Sequence, residues 1–255
     1  MPSLPELQAR REQLCRLTPD RALGTLDEAE EFLRDRGLLT RTADSSLPSL
    51  FEACHEEPYK PGAGGFAEWP RTKWSWGFEL AEWAGVFAPK IHRGKTLYLS
   101  EETARLADPI LRAELERVEA ADEGWARLLR HLGDAGPSPA DDLQVELELS
   151  PRGLRSLRAP LERCGALVTT PQGLARWDQV FPEPAGGEPD LGALVVAGAR
   201  AAVVVPEGEP KRWFSWAWRW EDDLIERLVA EGRLVRVPGT GTGPPRPEDG
   251  WLAVP

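Results

Sequence analysis

The stretch from residue 150 to residue 170, SPRGLRSLRAPLERCGALVTT, constrains the fold of this chain more than any other. Ser150 can cap a helix N-terminus through its side-chain oxygen, and Pro151 suits the first helical position, where no amide donor is needed. Gly165 is placed to end that helix in a left-handed turn, and residues 166–170 predict a strand. At 100° per residue, one face of the helix collects three leucines: Leu154, Leu157 and Leu161.

Arginines occupy the side of this helix that neighbours the leucines. Arg152, Arg155 and Arg158 fall on one arc, and Arg163 returns to the side of Arg152. Pro160 interrupts the pattern, because a proline inside a helix kinks or ends it. A capped helix with an apolar back, a basic front and a glycine before a strand is typical of a recognition helix and its wing. Such a helix lies in the DNA major groove while the hairpin contacts the backbone.

The order of helix, glycine and strand occurs three times, at residues 32–39, 161–168 and 228–235. Repeated supersecondary units indicate repeated small domains. We therefore predict an α+β, mostly α, fold of three tandem winged-helix modules that form one concave surface. The modules are expected at residues 1–100, 101–182 and 188–255. Residues 182–189, which are rich in proline, glycine and glutamate, predict a linker.

Periodicity and capping residues predict the remaining elements. Further helices are expected at 4–17, at 26–36 (capped by Thr25 or Asp27), at 46–56, from 101 to about 131, at 141–149 and at 221–231. Strands are expected at 38–40, in a hairpin over 89–99, and at 233–237 with a partner at 251–254. Residues 58–65 and 238–250 are expected to be loops.

Two segments are dense in aromatic side chains. The first spans residues 66–87 and the second spans residues 213–220. Their rings either stack on a flipped or single-stranded base or bury their large apolar area in the core. Both clusters precede helices at comparable places, so we expect core packing.

Net charge limits the possible partners. The chain has 31 basic and 42 acidic residues and a formal charge of −11, which opposes indiscriminate binding to nucleic acid or to an anionic membrane. Charge is unevenly distributed: residues 101–150 hold 5 basic and 13 acidic side chains, whereas residues 151–182 hold 5 and 2, and residues 61–100 hold 5 and 3. Any phosphate contacts are therefore expected in the two basic windows.

The predicted hairpin at 89–99 has a basic tip that contains Lys90, His92, Arg93 and Lys95. Wings contact phosphates, and long basic side chains reach a groove, so these residues are the second candidate site beside the arginine helix. Charged hairpin tips also occur for solubility alone. We expect His92 to be a surface residue rather than a proton shuttle.

Cofactor and metal chemistry has little support. Cys15, Cys54 and Cys164 are widely spaced and form no C-x-x-C pair, which favours a reducing cytoplasm over disulfides or structural zinc. Cys54 and His55 are neighbours and point apart, so they predict no metal site. No nucleotide-binding motif is present, and neither a signal core nor a membrane span is expected. We predict no metal, no nucleotide cofactor and no membrane partner.

The sequence resembles the winged-helix family of bacterial crosslink-repair DNA glycosylases and their uncharacterised relatives. The resemblance is found in Trp74-Ser75-Trp76 with the following helix and hairpin through Leu99, in residues 150–170, and in residues 228–254. It implies a concave DNA-binding surface built from three tandem winged-helix domains. It also implies cleavage of the N-glycosidic bonds of modified bases.

The chain departs from that family at the catalytic position. Family glycosylases have a Gln-x-Gln or Gln-x-Asp pair that orients the attacking water, whereas residues 37–44 here read GLLTRTAD, without glutamine. Asp44 is the remaining candidate base, although an aspartate before two serines is more often a helix cap. We expect a protein that binds damaged or structured duplex DNA with weak or absent catalysis.

Two alternatives stay open at this point. One is an active DNA glycosylase that acts on alkylated or crosslinked bases through Asp44 or another acid brought near by folding. The other is a protein-interaction module without DNA binding, which the net acidity favours. The acidic helix expected at 101–123 is mostly solvated in this interpretation, and it is where a basic protein partner would dock.

Overall fold

The computed structural model describes residues 2–58, 69–239 and 250–255. The fold is α+β and about 51% helical, with small antiparallel sheets, which confirms the predicted mostly-α class. Part of the loop expected at 58–65, most of that at 238–250, and Phe66 of the first aromatic segment lie outside the described residues.

The elements follow one another in three stretches of the chain. The first contains α1 (Leu4–Leu14), α2 (Leu26–Arg36), β1 (Leu38–Thr40), α3 (Trp76–Glu79), β2 (Val86–Phe87) and β3 (Leu97–Ser100). The second contains α4 (Glu101–Ala121), α5 (Glu123–Ala135), α6 (Ala140–Glu146), α7 (Pro151–Cys164), β4 (Leu167–Thr170), β5 (Gly173–Arg176) and α8 (Trp177–Val180). The third contains α9 (Leu191–Ala202), β6 (Val204–Pro206), α10 (Leu224–Ala230), β7 (Val235–Val237) and β8 (Trp251–Ala253).

The three sheets have closely related strand orders. The first sheet is ordered β1-β3-β2 and the third β6-β8-β7, so the last strand in sequence lies in the centre of each. The second sheet contains β4 and β5, and an isolated bridge joins Ser138 to Leu174 of β5. A short extended segment therefore occupies the position beside β5 that β1 and β6 hold in the other two sheets.

Helix α7 forms where the sequence predicts it. The Ser150 hydroxyl oxygen accepts a hydrogen bond from the Gly153 amide, and Pro151 is the first helical residue. Leu154 and Leu161 are buried, and Leu157 is half-buried beside them. Of the two effects expected at Pro160, an early helix end is wrong, because the helix continues through it to Cys164. Pro160 is exposed and lies close to the helix end.

The predicted glycine stops are also confirmed. Gly37, Gly165 and Gly232 follow α2, α7 and α10, and their φ angles are 81°, 86° and 69°. Positive φ costs an L-residue with a side chain more than it costs glycine. At Gly165 the space is also closed, since a Cβ would lie 2.1 Å from Leu111 Cδ2.

Two helix predictions are wrong. Residues 46–56 contain only a 3-10 turn at Glu52–Cys54, because Pro48 lies in this stretch and its neighbours pair with Thr40 instead. The Thr40 amide donates to Pro48 O at 2.9 Å, and the Leu50 amide donates to Thr40 O at 2.9 Å. The long helix expected from residue 101 to 131 is two helices, since Asp122 is extended and its carboxylate caps α5.

One continuous hydrophobic cluster contains buried residues from all three predicted segments. Its members include Leu38, Ile110, Val168, Leu194 and Trp213. The linker predicted at 182–189 is exposed and forms neither helix nor strand. The segments are therefore held together by shared burial and not only by chain connection.

We predict that Gly165→Ala destabilises the protein by about 2 kcal/mol or more, because the new methyl group combines strained φ with an overpacked contact. Gly232→Ala is the matched control, since no described atom lies within 4 Å of the position that its Cβ would take. That variant is expected to cost about 1 kcal/mol. Urea unfolding followed by tryptophan fluorescence measures both, and equal losses would contradict the proposed steric origin.

Candidate nucleic-acid interface

The basic tip is a tight turn between β2 and β3. The His92 amide donates to Lys95 O at 3.2 Å, and the Lys95 amide donates to His92 O at 2.7 Å. Arg93 and Gly94, the two central residues, have φ angles of 54° and 77°. Positive φ at both central residues is typical of a type I′ hairpin turn. The predicted hairpin exists, although its paired strands are Val86–Phe87 and Leu99–Ser100, farther from the turn than expected.

The turn packs against the third stretch of the chain. Arg93 Nε donates to Arg212 O at 2.8 Å, and the Gly94 amide donates to the Ser215 hydroxyl at 3.1 Å. The Ser215 amide in turn donates to Ile91 O at 2.8 Å. These bonds fix the tip on the first segment against the loop that precedes α10.

His92 is fully buried within this contact, so the prediction that it lies on the surface is wrong. Its Nδ1 donates to the carbonyl oxygen of Trp213 at 2.6 Å, and its Nε2 lies 2.9 Å from Asp44 Oδ1. The second Asp44 oxygen forms an ion pair with Lys95 Nζ. Asp44 therefore caps no helix, and the capping prediction is also wrong. It serves as the acidic centre of the tip.

Opposing effects set the acidity of this pair. Burial alone raises the pKa of Asp44, but the hydrogen bonds from Lys95 and His92 outweigh burial and hold that pKa below its usual range. Burial lowers the pKa of His92, while the hydrogen bond and charge of Asp44 act in the opposite direction. A carboxylate with a lowered pKa and two bonded oxygens is a weak general base.

The tip also meets the end of α7, where the two predicted basic sets come together. Glu162 is buried, and its Oε1 accepts from Lys90 Nζ at 2.7 Å and from the Thr169 hydroxyl at 3.0 Å. Arg158 Nε lies 3.5 Å from the other oxygen of Glu162. Lys90 and Arg158 therefore share one carboxylate, and their first role is to hold the tip on α7.

Arg152 and Arg155 lie at the other end of α7, and both are exposed. Within the described ranges neither has an ion pair or a side-chain hydrogen bond. Of the predicted DNA contacts, they are the two arginines that remain fully available to a ligand. Arg93 is also exposed, and its bonds are to the carbonyl oxygens of Arg212 and Asp44.

Two neighbours of this surface were not among the predicted site residues. Arg163, on α7, lies beside Gly94, such that a Cβ on Gly94 would be 3.8 Å from Arg163 Cγ. Arg212 ends a 3-10 turn at Pro210–Arg212 and is exposed. The return of Arg163 to the Arg152 side was visible in the helix pattern. No local signal identifies Arg212, because it reaches the site through a contact 119 residues away in sequence.

Helix α4 differs from the solvated acidic helix that we expected at 101–123. Asp108 and Glu114 are fully buried. Asp108 accepts from Trp177 Nε1 at 2.7 Å and from Arg112, and Glu114 accepts from Trp218 Nε1 at 3.1 Å and Arg219 Nε at 2.6 Å. These carboxylates join α4 to α8 of the same segment and to the loop before α10 in the third segment. Docking of a basic protein on the remaining exposed acids stays a prediction.

The aromatic clusters divide between core and surface. Trp213 and Trp216 are buried, as expected for core packing, and Trp216 Nε1 donates to Cys164 O at 2.9 Å. Trp218 is 55% exposed, while Arg117 lies 4.9 Å over its ring. In the first cluster, Phe78 is 48% exposed and packs beside Trp69, with ring centroids 5.8 Å apart.

The three cysteines are buried and free. Burial raises the pKa of Cys15 and Cys164 to about 11 and that of Cys54 to about 12, so their thiols are poor nucleophiles at neutral pH. No group of three or more potential metal ligands occurs among the described residues. Within the same residues, no helix is both long and apolar enough to cross a membrane.

No family model, curated protein or solved structure matches this chain. The geometry places the basic tip in contact with the end of α7 and with the loop before α10.

We predict that Asp44→Asn lowers the free energy of unfolding at pH 7 by roughly 1–3 kcal/mol, because Lys95 and His92 lose a charged partner. The pKa of Asp44 is lowered in the folded state. Its contribution is therefore complete above its ordinary pKa, near 4, and disappears as the pH falls through the folded value.

Urea unfolding over a series of pH values measures this effect. The difference between parent and variant should shrink in acid, below about pH 4. Asp20→Asn is the control, because Asp20 is exposed and has no described ion pair. A loss that stays constant down to the lowest pH would show that charge is not its source.

Proposed function

We propose that this protein binds duplex DNA through winged-helix modules, with α7 as a recognition helix. Two features support the proposal. Each sheet follows a helix, and its last strand in sequence is central in the first and third sheets and is paired with β4 in the second. A winged helix has this order of elements. The three modules, at 1–100, 101–182 and 188–255, and their concave surface are part of the proposal.

The proposal rests on the exposure of Arg152 and Arg155 and on their lack of a described ion pair. Both are exposed near the N-terminus of a capped helix that leads into the β4–β5 hairpin, and no described carboxylate neutralises them. The major groove of DNA is about 12 Å wide and admits one α-helix. Long basic side chains at the start of such a helix also reach the phosphates that flank the groove, and this is where these two arginines lie.

The net charge of −11 is compatible with such binding because several carboxylates are engaged by basic groups within the protein. Asp108 and Glu114 are buried in internal ion pairs, and Asp44 and Glu162 are bonded to basic residues of the tip. The remaining negative charge weakens non-specific association at a distance. We therefore propose a local, strongly salt-dependent contact in a reducing, cytoplasmic setting.

The glycosylase alternative has less support. Hydrolysis of an N-glycosidic bond needs a positioned water and stabilisation of the developing sugar cation. Asp44 has both oxygens bonded and a lowered pKa, so it is poorly suited to activate water. We propose a protein that binds damaged or structured duplex DNA, with weak or absent glycosylase activity.

We predict that Arg152→Gln combined with Arg155→Gln weakens binding to duplex DNA and lowers the slope of log K against log salt by about two. Each lost phosphate contact removes roughly 0.9 from that slope. Fluorescence anisotropy with a labelled duplex, repeated between low and physiological salt, measures both quantities.

The matched control is Arg127→Gln combined with Arg200→Gln. Both of these arginines are exposed and have no described ion pair, and they lie on α5 and α9. The control variant keeps the same net charge as the test variant. Equal losses in the two variants would indicate a general charge effect and would exclude α7 as the binding site.

We predict no multiple turnover on duplexes that contain N7-alkylguanine or an interstrand crosslink. Loss of a positioned acid or base typically removes ~10²–10⁴ in rate. Alkaline cleavage of abasic sites after incubation measures the product. Robust turnover that disappears in Asp44→Asn, with the variant folded at neutral pH, would establish the glycosylase alternative instead.

A further inference from the structure

Three arginines, one from each segment, lie around the tip. Arg93 is in the turn of the first segment, Arg163 is near the end of α7, and Arg212 ends the 3-10 turn of the third segment. Arg93 Nε bonds to Arg212 O at 2.8 Å, and the adjacent Gly94 lies against the Arg163 side chain. All three residues are exposed.

Their positive charge is left without a counter-charge inside the protein. None of the three arginines forms an ion pair within the described part of the chain. The carboxylates nearby have other partners: Asp44 binds Lys95 and His92, and Glu162 binds Lys90 and Arg158. Glu209, three residues before Arg212, accepts from the Ser46 amide and from Trp213 Nε1. Exposed guanidinium groups without a carboxylate partner in the described residues are available to an anion from outside.

Arg163 also continues the row of arginines on α7. Arg163 follows Arg152 by eleven residues, which returns it to within about 20° of the same side of the helix. The helix rise places the two about 16 Å apart along the axis. Arg152, Arg155 and Arg163 thus form a track that reaches the tip and meets Arg93 and Arg212 there.

We propose that Arg93, Arg163 and Arg212 form a phosphate-binding junction for the sugar-phosphate backbone of the same duplex that α7 binds. This inference rests on the proposed function and extends it to a second contact region contributed by all three segments. A single phosphate cannot span a track of about 16 Å, whereas duplex DNA presents one charge per roughly 1.7 Å of its axis. The repeated charge of the backbone fits the length of the track.

Arg163→Gln combined with Arg212→Gln tests the junction. Arg93 is left unchanged, because its hydrogen bonds hold the turn in place. The side chains of Arg163 and Arg212 make no described hydrogen bond, so the variant is expected to unfold at the same temperature as the parent. Arg127→Gln with Arg200→Gln again provides the charge-matched control.

In salt titrations with duplex DNA, we expect the junction variant to lose about two units of slope and roughly tenfold in affinity at low salt. The loss should be the same for unrelated sequences, because phosphate contacts do not read bases. The loss should add to the loss caused by Arg152→Gln with Arg155→Gln. A variant that carries all four substitutions should therefore lose about four units of slope.

Two outcomes would overturn the inference in different ways. If the parent binds DNA and the junction variant behaves like the charge-matched control, the proposed function stands and the junction does not. If the parent fails to bind duplex DNA at low salt, both are overturned. In that case, binding to anionic phospholipid vesicles that is lost in the junction variant would assign the three arginines to a membrane surface.

Discussion

The contact between the hairpin tip and the loop before α10 is the constraint on which the rest of this surface depends. A turn with positive φ at Arg93 is strained for a residue with a side chain, and it is held by bonds to Arg212 O and Asp44 O. His92, fully buried, extends the same contact to Trp213 O. The hydrogen bonds that satisfy these groups also fix how the first and third segments face each other.

Basic residues at this surface fall into two groups, which differ in whether a carboxylate of the protein pairs with them. Lys90, Lys95 and Arg158 are opposite Glu162 or Asp44, so much of their charge is used within the protein. Arg152 and Arg155 face solvent without such a partner in the described residues. A sequence count of basic residues treats these two groups alike, whereas the folded chain pairs the first group internally and leaves the second exposed.

Local signals were sufficient to predict α7, because its cap, its leucine face and its glycine stop all lie within fifteen residues or so of one another. They were also sufficient for β4, β7 and β8. They failed where a partner outside the segment decided the outcome: Pro48 and Leu50 pair with Thr40, and Asp44 and His92 meet across 48 residues. The burial of Asp108 and Glu114 on α4 was hidden for the same reason, since their partners come from α8 and from the loop before α10.

The sequence separation of the tip contacts has a consequence for folding. His92 and Trp213 are 121 residues apart, and Arg93 and Arg212 are 119 apart. Contacts between residues so far apart in sequence form late, because closing a long loop costs entropy before other interactions compensate. During synthesis, α7 and its hairpin can be complete while the loop before α10 is still absent. The nascent chain would therefore expose the arginines of α7 before hydrogen bonds hold the tip in place. The contact between the tip and the loop before α10 would form only when the C-terminal segment folds.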